Sequence, residues 1–328
     1  ALDSPLPPPA TPRAYLPAVI NTTPPLSTTS HYVEEVDEST FNRQGCTEAG
    51  KRRQNQNVVV ILDFGYPAYY SDRYGALTLD PEIFYPTDVI SEAVKGYLTG
   101  FYVCAQVHNN GARLTLAIGV NNHHPRPPYT SGVTRDHGRA WAQMVNDLNN
   151  WIEDHNWQTT LRVYGANDIE FDWNTYDVTI QWVNGYTETW SFPSYYLNFG
   201  SCDSCPSSQF WWWVPANGWT LENIRTVSWG APPAWPLPQI YRRDGLNADQ
   251  WSWINHLYTS PMYFTGALTQ WGACHSPRSR TCNETDNTPE QGWSHLWDWI
   301  NRYPNTRQNE LRWSTDILWD IDWPQPPE

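Results

Sequence analysis

The run Val58-Val59-Val60-Ile61-Leu62-Asp63 constrains the fold more than any other stretch of this chain. A surface strand alternates apolar and polar residues. A run with no alternation is a strand buried on both faces, the kind found in parallel sheets covered by helices. The pattern recurs in "RLTLAIGVNN" (113–122) and in "LRVYGANDIEFDW" (161–173), each turning polar at its end. Further strands are predicted at 195–203, 236–242 and 261–270. Between them lie helical patterns at 88–103, 136–156, 220–229 and 247–257, another segment near 176–186, and a helix opening at Thr288-Pro289-Glu290-Gln291. The clearest helix carries Trp141, Met144, Val145, Leu148, Trp151 and Ile152 on one stripe of period 3.6.

Strand-then-helix alternation argues a parallel α/β architecture. A doubly wound sheet would follow its first strand with a glycine-rich phosphate turn, and "DFGYPAYYSDRYG" is not one. A barrel puts site residues at the carboxyl ends of several strands. Asp63, Asn121, Asp168, Asn198, Tyr241 and Gln270 all fall at such ends. The expected fold class is therefore α/β, a TIM-like (β/α) barrel, irregular in that fewer than eight strands are legible. Residues 1–45, rich in Pro, Thr and Ser at their start, are expected to form an arm and linker, with "NRQGCTEAGKRRQNQN" (42–57) loop-like, and the barrel to span 46–328.

Thirty-four acidic residues against 20 Lys and Arg exclude a nucleic-acid backbone as partner. No apolar stretch approaches the roughly 20 residues of a membrane-spanning helix. The opening residues carry no signal-like segment, so the chain reads as a mature secreted protein. Six cysteines suit three disulfides. Locality favours Cys202–Cys205 and Cys274–Cys282, leaving Cys46 for Cys104, among about fifteen connectivities. The competing reading is a zinc site joining Cys202 and Cys205 to Cys274 and His275. Disulfides imply an extracellular location, and no cofactor or metal is expected.

The alternation of a strand places Asp168, Glu170 and Asp172 on one face and Ile169 and Phe171 on the other. Carboxylates that close share a proton, bind a cation or point into water. Calcium, with Asn167 or Asn174 as extra ligands, is one reading. Hydrolysis of a glycosidic bond, which needs one protonated and one ionised carboxyl, is the other. The chain's 21 Trp and 19 Tyr suit sugar stacking: Trp211, Trp212 and Trp213 on one side of a mouth, Tyr66 and Tyr69 on the other. His123 and His124 lack metal-ligand spacing, and neither a G-x-S-x-G nor an H-E-x-x-H motif occurs. Asn21 and Asn283 head glycosylation sequons.

"VVILDFG" and "DIEFDW" resemble the glycoside hydrolase-like (β/α) barrels of secreted bacterial proteins, including the family 25 lysozyme-type superfamily; "NTPEQGW" and "WSTDILWD" are similar to a further group of secreted bacterial barrels. The resemblance implies Asp63 as the first acid, Asp168 as the supporting acid and Glu170 as the proton donor. Asp172 and the long aromatic insertion depart from it. The expected function is a secreted O-glycosyl hydrolase acting on a polysaccharide or peptidoglycan glycan. The alternative is a non-catalytic extracellular structural or carbohydrate-binding protein whose N-terminal arm joins neighbouring copies.

Overall fold

The computed structural model describes residues 23–277 and 282–319. Eight parallel strands form the central sheet: β1 (Thr28–Tyr32), β2 (Asn57–Asp63), β3 (Arg113–Asn121), β4 (Leu161–Asp168), β5 (Tyr196–Asn198), β6 (Ala234–Pro236), β7 (Gly266–Thr269) and β8 (Trp313–Trp319). Their spatial order is β6-β5-β4-β3-β2-β1-β8-β7. A bridge between Gln239 and Leu268 joins the two ends of that series. The sheet is thus a barrel in which each strand neighbours the next in sequence. Seven helices follow the first seven strands: α1 (Glu38–Gly50), α2 (Thr87–Val107), α3 (Arg135–Asp154), α4 (Tyr176–Thr189), α5 (Leu221–Arg225), α6 (Leu246–His256) and α7 (Pro289–Ile300).

The burial explains why the strands read as unbroken apolar runs. Val58, Val60 and Leu62 of β2 face the helices, whereas Val59 and Ile61 meet Ala117, Ala166, Leu197, Leu268 and Ile317 in the lumen. Both faces are dry, so alternation disappears.

Two strands were not legible, and the physical reason is the same at both. β1 and β8 pair in parallel over five residues, from Thr28 with Thr315 to Tyr32 with Trp319. Their contact is made of hydroxyls: Ser30 Oγ lies 2.6 Å from Thr315 Oγ1, and Ser30 Oγ accepts from the Ile61 N–H at 2.8 Å. Thr28, Ser30 and Thr315 are buried without being apolar. The arm boundary expected at residue 45 is therefore corrected: the barrel begins at Thr28, and residue 45 lies inside α1. The loop expected over 42–57 is largely that helix.

α1 hides for a related reason. Asp37 caps it by accepting from the Thr40 N–H at 2.7 Å. Its packing face includes Gly45 and Ala49, because α1 lies almost against α2. A Cβ at Gly45 would sit 2.1 Å from the Tyr97 carbonyl oxygen, and one at Gly100 of α2 2.0 Å from that of Asn42. The Cys46–Cys104 disulfide clamps the same pair of helices, with Cα atoms 5.1 Å apart. Cys202–Cys205 and Cys274–Cys282 form as well, and the first of these overturns the zinc reading.

Beside the barrel mouth stands a four-stranded antiparallel sheet of Phe84–Pro86, Arg73–Leu77, Tyr66–Tyr70 and Thr130–Ser131. It grows from the β2–α2 and β3–α3 connections. Among the described residues no helix is long and apolar enough to cross a membrane.

Candidate active site at the carboxyl ends of the strands

β2, β3 and β4 end in Asp63, Asn121 and Asp168, and all three face a cavity of about 590 Å³ at the barrel mouth. Strand alternation aims them there. Tyr164 and Ala166 precede Asp168 on the lumen side of β4, as Val59 and Ile61 precede Asp63 on β2. Tyr66, Gln270, Tyr32 and Trp319 complete much of the lining, with His123 and Trp173 on the β3–β4 side. The Tyr32 and Trp319 rings lie 4.7 Å apart, and His123 bridges Tyr66 and Trp173 at 5.5 and 5.6 Å. The cavity has an acidic floor and aromatic walls.

Asp168 is fully buried and accepts a 2.8 Å hydrogen bond from Gln239 Nε2. Burial pushes its carboxyl well above the ordinary range, and the charges of Glu170 and Asp63 push it further. A hydrogen bond links it to the Glu170 side chain. Two carboxyls in that contact cannot both be ionised at low cost, so the pair holds a proton.

Glu170 lies just past the end of β4. Asn122 pins its backbone, accepting from the Glu170 N–H and donating to the Glu170 carbonyl, both at 3.0 Å. The Ser201 hydroxyl and N–H (3.1 Å), from the loop after β5, donate to its carboxylate. Burial raises its pKa to about 8 despite the Ser201 hydroxyl, with the Asp203 charge adding to the rise. Asp63 is raised by burial to about 7 against one 2.9 Å bond from the Gly65 N–H. Gly65 permits that bond at φ +83°, in a turn where a Cβ would meet the Leu77 carbonyl at 2.6 Å. Burial also raises the phenols of Tyr32 and Tyr241, which stand beside Asp168.

The acidic run therefore divides. Asp168 and Glu170 turn to the same side, while Ile169 and Phe171 enter the layer under the helices. Asp172 is exposed on the turn beyond. Of the other expected residues, Tyr66, Asn121 and Gln270 line the cavity, and Tyr241 is half-buried next to it. Tyr69 turns away to Tyr74 and Asp72 in the side sheet. Asn198 faces the helices, donating to Ser228 Oγ at 2.7 Å. Trp211, Trp212 and Trp213 are 67%, 58% and 37% exposed, and none lines the cavity. The wall those indoles were expected to provide comes from Trp173 and Trp319.

Sequence reasoning passed over Gln239, Ser201 and Tyr32. Gln239 carried a signal: it sits two residues from both Leu237 and Tyr241 and so shares their lumen face. Tyr32 carried none, because β1 was not legible. Nor is His124 beside Ser131 a catalytic dyad. Asn174 Nδ2 donates to His124 Nε2 at 3.0 Å, which leaves Nδ1 as the donor to Ser131 Oγ at 2.6 Å. That ring cannot take the serine proton.

Among the described residues no set of three or more His, Cys, Asp or Glu side chains is arranged to hold a metal ion. What the arrangement offers is proton storage: three crowded carboxyls, two of them with pKa values near 7 and 8, at the base of an open aromatic cavity. The sequence matches no family model and no curated protein.

Proposed function

We propose that the chain is a glycoside hydrolase-like protein acting on a polysaccharide or peptidoglycan glycan outside the cell. The observation that carries the reading is the crowding of Asp168, Glu170 and Asp63, each held above the ordinary carboxyl range by burial, at the cavity floor. Glycosidic cleavage needs an acid to protonate the leaving oxygen and a second carboxylate for the developing charge at the sugar. The Asp168–Glu170 pair supplies the acid, with Glu170 the proton store and Asp168 the member on the cavity wall. Asp63 is the second carboxyl. Tyr32, Trp319 and Trp173 offer ring faces to a sugar. Three disulfides suit an oxidising compartment.

The test is release of reducing ends from a panel of glycans by the wild type, Glu170→Gln and Asp63→Asn. General acid help is worth on the order of 10²–10⁴-fold, so both variants should lose at least 100-fold in kcat. A substrate cleaved equally well by Glu170→Gln would refute the assignment.

One observation favours a non-catalytic, carbohydrate-binding barrel. The Glu170 carboxyl is clamped by Ser201 and, unlike Asp168, does not line the cavity. On that reading glycans bind at the mouth and no member of the panel is cleaved. Self-assembly through the expected arm concerns residues 1–22, which lie outside the described residues.

A further inference from the structure

The opposite, amino-terminal end of the barrel carries a second cavity, of about 230 Å³. Its walls are rings: Tyr164 to Tyr195 at 5.4 Å, Tyr195 to Trp235 at 6.0 Å and Trp235 to Tyr263 at 6.3 Å, each pair close to perpendicular. Two arginines border it, Arg162 from the start of β4 and Arg312 just before β8. The formal charge of the chain is −14, yet this cavity gathers two cations against one carboxylate. Glu310 meets Arg312 at 2.9 Å, and Arg162 makes no ion pair among the described residues. Both guanidiniums act on the Tyr164 phenol, Arg162 more strongly than Arg312. Trp313, 6% exposed and also in the lining, buries its indole N–H without a partner.

A buried donor with no acceptor costs about 1–3 kcal/mol, and paired cations without matching anions repel one another. Both features are relieved by an incoming acceptor group that carries negative charge. The cavity falls below the roughly 300–1,000 Å³ of sites for drug-sized ligands, so it has room for about one ring. A cation held in an aromatic cage is disfavoured by the two guanidiniums. A flat aryl acid has only its carboxylate to offer, so the arginines and the unpartnered Trp313 indole N–H would compete for one group. A pyranose acid presents an apolar face to rings, a carboxylate to the arginines and hydroxyls that can accept from that N–H.

We infer that the amino-terminal face of the barrel binds one carboxylate-bearing sugar residue, its ring against Tyr195 and Trp235 and its carboxylate between Arg162 and Arg312. The site lies across the barrel from Asp168 and does not rest on any chemistry at the mouth. It would hold an acidic glycan by a point remote from cleavage, or hold the protein to such a glycan with no cleavage at all.

Methyl β-D-glucuronide, methyl β-D-glucoside and benzoate are titrated into the full chain and followed by saturation-transfer NMR and calorimetry. The expected result is saturable binding of the glucuronide, at least tenfold weaker binding of the other two, and a salt-sensitive affinity. Arg162→Gln/Arg312→Gln should weaken the glucuronide at least tenfold. Both side chains are exposed, so the fold should tolerate the change; Arg162→Gln alone, which breaks no ion pair, serves as the second variant. Glu170→Gln should leave this binding unchanged, which separates the site from the mouth. Absence of saturable binding, equal affinity for the glucoside or benzoate, indifference to the arginine changes, or loss in Glu170→Gln would each overturn the inference.

Discussion

Glu170→Gln is the perturbation that bears most directly on the acidic floor, and its effect on stability can be worked out before any substrate is known. Glu170 is raised from an ordinary value of 4.5 to about 8. An acid held above its ordinary value is bound more tightly by the fold in its protonated form. That stabilisation is complete below pH 4.5 and is lost as pH rises through about 8. At about 1.36 kcal/mol per pH unit the span corresponds to about 5 kcal/mol. Asp168 shares the proton, so removing one partner returns only part of it, about 1–3 kcal/mol. Gln fits the clamp: its carbonyl accepts from the Ser201 N–H, and the Ser201 hydroxyl turns to accept from the amide. Thermal melts at pH 4.5 and pH 8.5 are the assay. The variant should match the wild type at pH 4.5 and melt about 2–12 °C higher at pH 8.5, at about 2–4 °C per kcal/mol. Some slope should remain, because Asp63 and Asp168 still titrate. An unchanged slope, or a lower melting temperature at both pH values, would show that Glu170 is not held protonated by its surroundings.

Two further outcomes follow from the fold. Deleting residues 1–32 removes β1 and opens the barrel between β2 and β8, so the product should lack a cooperative urea transition, whereas deletion of 1–22 should retain one. His137 is buried, donating from Nε2 to the Gly75 carbonyl at 2.8 Å and accepting at Nδ1 from Trp182 Nε1 at 2.9 Å. Burial lowers its pKa to about 4, so its contribution is intact above pH 6.5 and lost as pH falls towards 4. The melting-temperature gap between wild type and His137→Gln should therefore narrow from pH 7 to pH 4; a constant gap would contradict the neutral tautomer.

How much of this was legible depended on whether burial used apolar side chains. β2, β3 and β4 showed plainly because hydrocarbon fills both of their faces. The same alternation placed Asp63 and Asp168 in the lumen and paired Glu170 with Asp168. β1 was not legible because serine and threonine bury themselves there by bonding across the sheet. α1 was not because glycine, rather than leucine, permits its approach to α2. Asn198 was misplaced through parity: it shares a face with Tyr196, which packs under the helices. The Phe210–Trp213 run resists any periodic reading, since it lies in a loop where neighbouring side chains follow local turns.

The junction of β1 with β8 also sets the order in which the molecule is completed. Ser30 and Thr315 are 285 positions apart along the chain, among the most distant partners a polypeptide of this length can have. β1 is matched to β2 at only two positions but to β8 at five, so its principal partner is made last. During synthesis the emerging strands would form an open, curved ribbon with unsatisfied amides along its margins until β8 has emerged. Tyr32 reaches its place beside Trp319 only when that ribbon closes. The floor of acids can gather early, but the cavity above them acquires its final wall only when β8, the last strand of the barrel, has been made.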